Sequence, residues 1–218
     1  MTHIEHPDLP GRTEVANYKS AFVHSVCGIY DMERIKTYIA NLQAAIDALP
    51  MGKIKRIIDL ILEAYKADKQ VFVIGNGGSA STASHFACDL GKGTIVQGKR
   101  RLRIMSLTDN VAMMTAWAND LSYDDIFVEQ LKNLLNRDDL LIGISASGNS
   151  KNVLKAIEYA NSMDCTTIGL TGFDGGKLAK LADESIIVDS YDYGPVEDIH
   201  LILDHIIRTW IYEELTNS

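Results

Sequence analysis

The sequence is poor in the residues that staple or break chains. It has 3 cysteines and 4 prolines in 218 residues. Cys27, Cys88 and Cys165 are too few and too scattered for a disulfide framework, and an odd count fits a reducing compartment. No apolar run approaches the roughly 18 residues of a membrane span. Met1 to Pro10 carries His3, Glu5, His6 and Asp8 but no basic stretch followed by an apolar one, so it does not read as a secretory signal. These features predict a cytoplasmic protein without a membrane partner. Positive charge is also short: 21 Lys+Arg stand against 29 Asp+Glu, a net charge of -8. That balance argues against a broad nucleic-acid surface, which needs many phosphate-neutralising cations. It does not exclude a small anion, which backbone N–H groups can hold whatever the net charge.

What is present is a change of texture along the chain. Residues 1–12, with Pro7, Pro10 and Gly11, read as a loose arm. Glu14 to Leu49 carries helical periodicity through Phe22, Val26, Ile29, Tyr30, Ile35, Tyr38, Ile39, Leu42, Ile46 and Leu49, and Pro50 and Gly52 end it. A further helix covers Ile54 to Lys66. Five short apolar runs follow: Gln70–Ile74, Arg103–Leu107, Leu140–Ile144, Thr166–Leu170 and Ser185–Val188. Helical segments separate them at Ser81–Leu90, Val111–Ala118, Asp124–Leu135, Ser150–Ser162 and Gly176–Leu181, and a last helix covers about Val196–Leu215. Short apolar strands alternating with helices predict an α/β fold, a five-stranded parallel sheet flanked by helices, preceded by N-terminal helices. The leading helices offer apolar faces that serve either a subunit interface or packing within the chain.

Two strand ends carry unusual turns. Gly75-Asn76-Gly77-Gly78-Ser79 follows the first strand, and Ser145-Ala146-Ser147-Gly148-Asn149-Ser150 follows the third; each runs into a helix. Glycine lets backbone approach a ligand, a helix N-terminus offers free N–H groups, and serine adds small donors. Together they suit a phosphate monoester. Neither turn is G-x-x-x-x-G-K-[ST] or G-x-G-x-x-G, so neither matches a triphosphate or dinucleotide loop. The plainer alternative makes Ser79 and Ser150 N-caps.

Titratable residues gather on two helices. His85 and Asp89 stand at i and i+4 on one face. On the last helix Asp198 and His205 share a face, Glu197 is offset, and His200 points about 140° from His205 at about 100° per residue. Imidazole and carboxylate together serve a divalent metal, an acid/base pair or a plain salt bridge, and spacing alone favours the salt bridge. His200 is expected to pack or hydrogen-bond within the domain. Cys88 reads as a buried small hydrophobe.

The ordered segments GNGGSAS..SHFACDL, LTDN...AWANDLSYDDIF, LLIGISASGNSKNVLKAI, TIGLTGFDGGKLAKLAD and VEDIHLILDHI closely resemble the sugar isomerase (SIS) family, and within it the phosphoheptose isomerases, over about residues 35–215. The resemblance makes residues 31–218 a SIS domain and residues 1–30 an extension. It implies an aldose–ketose isomerase of heptose biosynthesis, interconverting sedoheptulose 7-phosphate and D-glycero-D-manno-heptose 7-phosphate through an enediol, as a homotetramer with active sites between subunits. Asn76, Gly77, Gly78 and Ser79, then Asn119 and Asp120, then Ser145, Ala146, Ser147 and Ser150, with Asp89 and Glu197, would contact substrate. Asp89 and His205 would be catalytic. His85, Asp89, Glu197 and His205 would hold one Zn2+ per subunit, or another divalent ion. Asp89 stands where the family has glutamate, Glu197 where it has glutamine, and Ala146 where it has threonine. These departures leave open a different sugar phosphate. A non-catalytic relative that binds the bacterial replication initiator lacks the carboxylate and the last-helix histidine, both present here.

Overall fold

The computed structural model describes residues 23–218, with side chains from residue 32 onward. The expected loose arm, the helical reading of Glu14–Phe22, and His3 and His6 lie outside the described residues. So does the side chain of Cys27.

The elements run α1 (Val23–Asp47), α2 (Met51–Lys66), β1 (Gln70–Gly75), α3 (Gly78–Gly93), β2 (Arg103–Ser106), α4 (Val111–Asp120), a 3-10 turn (Tyr123–Asp125), α5 (Val128–Leu134), β3 (Leu140–Ser145), α6 (Lys151–Ser162), β4 (Thr166–Thr171), α7 (Leu178–Leu181), β5 (Glu184–Ile187) and α8 (Tyr193–Asn217). The five strands form one all-parallel sheet in the order β2-β1-β3-β4-β5. The compact unit that contains the sheet runs from Asn41 to Ser218. Before it, Met32, Ile35, Tyr38 and Ile39 of α1 are exposed, and Lys36 pairs with Glu33 at 2.9 Å.

The central strands are apolar on both faces because helices cover both. Val71 and Val73 of β1, with Leu140, Ile142 and Ile144 of β3, point into a core shared with α2, α3 and α8. Phe72, Ile74 and Leu141 point the other way, into a core with α5, α6 and α7. Alternate residues of a strand face opposite sides, so a continuous apolar run is what two covered faces require. Helix α2 buries Ile54, Ile57, Ile58 and Ile61 in the first core, so its apolar stripe packs within the chain. Helix α8 does the same through Ile199, Leu203, Ile207 and Ile211.

The segment expected as one helix over Asp124–Leu135 divides. Ser122 Oγ donates to Asp125 at 2.6 Å, Asp125 pairs with Lys155 of α6 at 2.7 Å, and this tight turn precedes α5. Ile126 and Phe127, both fully buried, fill the junction. Both belong to the core on the α5 and α6 side of the sheet, and they join the 3-10 turn to the start of α5.

In this strand order, chain leaves β1 toward β2 on one side and β3 toward β4 on the other. The crevice between β1 and β3, at the carboxyl ends of the strands, is therefore the switch point where open α/β sheets bind ligands. Both Gly/Ser turns sit there, on adjacent strands joined by the pairing of Gly75 with Ile144.

Candidate active site

The turn after β1 is built by close approach. A Cβ at Gly75 would strike the Ser79 carbonyl, and one at Gly78 would strike the Glu197 carboxylate. Gly77 has φ +54 and forms the N-cap of α3, and Ser79 is buried at its first turn. Ser79 is therefore not the capping residue. The Asn76 side chain exchanges hydrogen bonds with Asn152 of α6, each 2.9 Å, and accepts from Tyr123 Oη at 2.8 Å. That network ties the first turn to the helix that follows the second.

In the second turn, Gly148 has φ +63 and its N–H donates to the Ser145 carbonyl at 2.8 Å. Ser147 Oγ accepts from Asn149 N–H at 3.3 Å, and the Ala146 carbonyl accepts from Gly172 N–H at 2.9 Å. Ser150 is the N-cap of α6, yet its hydroxyl makes no capping bond; it lies 3.0 Å from Ser145 Oγ. Two hydroxyls facing each other at a helix N-terminus leave first-turn N–H groups and a partial positive charge for an anion. Asn119 and Asp120 stand at the exposed C-terminal end of α4, where Asn119 donates to Asp120 at 2.9 Å.

The titratable residues meet where α3 runs alongside α8. His85 Nε2 is 3.2 Å from His205 Nε2 and 3.6 Å from Asp89 Oδ2; His205 Nε2 is 3.8 Å from Asp89 Oδ2. Asp204 joins them from α8, with Oδ2 3.9 Å from His85 Nε2. One ligand atom from each of these four lies within 4.8 Å of all the others, the arrangement a metal ion needs. His85 and His205 are exposed and Asp89 half-buried, while Asp204 is 0% exposed with both carboxylate oxygens unpartnered. Burial, joined by the nearby Asp89 and opposed by Arg208, pushes the Asp204 carboxyl up to about 7. An orphaned buried carboxylate beside two imidazoles and a second carboxylate is a donor set that fits a divalent cation.

Glu197, expected among the ligands, is not in this group; it is half-buried and its carboxylate lies over Gly78. Spacing in the sequence brought His85, Asp89 and His205 forward but gave no sign of Asp204. His200, as expected, turns inward: it is 0% exposed, with Nε2 3.2 Å from the Thr171 carbonyl, and burial lowers its pKa to about 4. The reading of Cys88 as buried is corrected. Helix α3 turns it outward into a cleft of about 590 Å3 that it lines with Ser84, Met105 and Asp109. Cys165 is the buried thiol, pushed up to about 11 by burial. His205 also borders an apolar groove of about 410 Å3 along α8, with Ile202, Ile206 and Trp210.

A parallel sheet with two Gly/Ser turns at its switch point, and a His/Asp cluster along the helix that follows the first, has the layout of a ligand site of an open α/β protein. Residues 36–172 match the SIS domain model, and the chain belongs to that family. Among its relatives, a phosphoheptose isomerase of Helicobacter pylori is 38% identical over 79% of this chain and 90% of its own length. One of Aliarcobacter butzleri is 37% identical over 84% and 97%. The structure of a phosphoheptose isomerase from Neisseria gonorrhoeae superposes with a TM-score of 0.76 at 32% identity, covering 83% of this chain and 97% of that one.

Proposed function

We propose that the protein is an aldose–ketose isomerase that interconverts sedoheptulose 7-phosphate and D-glycero-D-manno-heptose 7-phosphate. The observation that carries this reading is the meeting of Asp89 with His85 and His205, two turns along the helix that opens at the first Gly/Ser turn. The second turn, Ser145, Ala146, Ser147 and Ser150, takes the phosphate. Asn76, Gly77, Gly78 and Ser79 hold the sugar, aided by Asn119, Asp120 and Glu197.

Asp89 and His205 work as the base/acid pair. One removes a proton from C1 of the ketose, and those electrons form the C1–C2 double bond of an enediol as the C2 oxygen is protonated. Return of a proton to C2, with loss of the proton on the C1 oxygen, gives the aldose. A bound divalent cation supplies polarisation of the carbonyl and stabilisation of negative charge on the enediolate oxygens. Zn2+ is the ion proposed, since paired imidazoles with carboxylates suit it, and His85, Asp89 and His205 are the ligands common to sequence and geometry. Asp89 bound to a cation is a weaker base, so its two roles compete.

The same reading makes residues 31–218 the SIS domain and residues 1–30 an extension, supported by a family match that starts at residue 36. Assembly as a homotetramer is supported by the apolar groove along α8. A cytoplasmic location is supported by the unpaired thiols of Cys88 and Cys165; no described helix is long and apolar enough to cross a membrane. Asp89 and Glu197 stand where the family differs, so a second sugar phosphate remains the rival substrate. Incubation of purified protein with a panel of ketose phosphates in D2O, with and without chelator, tests both. Deuterium at C2 of the heptose product, seen by NMR, is the expected result. Turnover confined to another ketose phosphate selects the rival, and no exchange with any sugar removes the isomerase reading.

A further inference from the structure

Asp204 sits at the one place in the cluster that solvent does not reach. It is 0% exposed, both of its oxygens lack a hydrogen-bond partner, and it lies on the apolar stripe of α8 between Leu203 and Ile207. A carboxylate is rarely buried without a partner, because the charged form gives up its hydration and receives nothing in return. Arg208, one turn further along α8, forms no ion pair with it among the described residues; its side chain lies over Gly93 of α3. The groups that Asp204 does face are His85 and, through the cluster, Asp89 and His205.

We propose that Asp204 is a ligand of the cation in this site, so that the metal set is His85, Asp89, Asp204 and His205 within one chain, and Glu197 is outside it. This rests on the metal-binding reading given above. The spacing carries it. Donors about 2.0–2.2 Å from one ion in a tetrahedron stand roughly 3.3–3.6 Å apart. The separations here are 3.2, 3.6, 3.8 and 3.9 Å, already close to that figure. Glu197 is placed differently. Its carboxylate contacts Gly78, seven residues before His85, which is about 10 Å along the axis of α3. There it lies against the first turn of α3, where the partial positive charge of a helix N-terminus favours a carboxylate without a metal. The geometry divides two acidic residues of α8 between two tasks: Asp204 balances the ion, and Glu197 closes the first turn over the substrate crevice.

The test measures metal directly. Full-length wild type, Asp204→Asn, Glu197→Gln and His85→Ala are stripped with chelator and titrated with Zn2+ by equilibrium dialysis and elemental analysis, and with Co2+ by visible absorption. Asp204→Asn is expected to weaken Zn2+ binding by at least about 100-fold and to change the Co2+ spectrum, more than the 10–100-fold loss typical of an outer partner. Its metal-free form is expected to melt above metal-free wild type, since the uncompensated charge is gone. Glu197→Gln is expected to bind Zn2+ within about threefold of wild type. Wild-type affinity in Asp204→Asn, or loss in Glu197→Gln equal to that in His85→Ala, overturns the assignment. Should Asp204→Asn not fold, Asp204→Glu replaces it; retained metal with a shifted Co2+ spectrum supports ligation, and an unchanged spectrum opposes it. Isomerase activity of wild type, measured with and without chelator, separates the two claims. Activity without any bound metal discards this proposal and keeps the isomerase.

Discussion

Asp89 reaches His85 and His205 from half-buried space on α3, at 3.6 and 3.8 Å, so small displacements of its carboxylate change what it can touch. A shift near 1 Å is enough to alter a reaction geometry. Replacing Asp89 with Asn, or His205 with Ala, is expected to lower turnover of the heptose phosphate by about 10^2- to 10^4-fold, the range of a lost general acid or base. Far-ultraviolet circular dichroism and the melting temperature should stay near wild type, since both sites border solvent. Activity within tenfold of wild type in either variant would sink the assignment. The sequence showed His85 and Asp89 as a pair because a spacing of four is a local property of one helix. Asp204 was invisible for the opposite reason. Its burial comes from α3 lying against α8, more than a hundred residues apart in sequence, and an isolated aspartate among leucines and isoleucines reads as an exposed helix position. Cys88 was misplaced by the same limit, since its face of α3 looks into an open cleft beside the edge strand β2 and is left exposed there.

At the level of elements, the strands were the most legible part. Each was an apolar run of the right length bounded by glycine, serine or a charged residue, and the observed limits differ by a residue or so. The junction at Ile126–Phe127 was not legible, because the turn before it is fixed by Asp125 pairing with Lys155 of α6, thirty residues away in sequence. The Gly/Ser turns were visible as composition, but their side-by-side placement depends on β1 pairing with β3. Two glycines there differ in a way that can be measured. Gly148 has φ +63 and a Cβ would overlap the Gly175 carbonyl; Gly77 has φ +54 with open space around it. Gly148→Ala is therefore expected to destabilise by about 2–3 kcal/mol or more, and Gly77→Ala by about 1–2 kcal/mol, from backbone strain alone at φ +54 and ψ -122. Urea unfolding of both variants checks this, and the reverse order would refute the packing described for the second turn.

For the whole molecule, His200 links pH to stability. Its imidazole is buried, bonded to the Thr171 carbonyl, and titrates at about 4 instead of the usual 6.5. The unfolded chain therefore takes up a proton between those values that the folded chain refuses, so stability is full above about pH 6.5 and is lost as pH falls toward 4. The gap corresponds to about 3 kcal/mol. His200→Gln, which keeps a side-chain donor and does not titrate, is expected to flatten the fall between pH 6.5 and 4.5 in denaturant unfolding, even if it is less stable at pH 7. An unchanged slope would place the pH dependence elsewhere. The strand order has a consequence in time as well as in space. Val71 of β1 meets Leu140 of β3, so the two Gly/Ser turns become neighbours only after the intervening α3, β2, α4 and α5 have been made. No ladder in this sheet joins strands through a hairpin, and such distant pairings close slowly. A chain emerging from the ribosome therefore carries its first glycine turn alone while about the next 70 residues are made, and the two turns meet only as β3 docks.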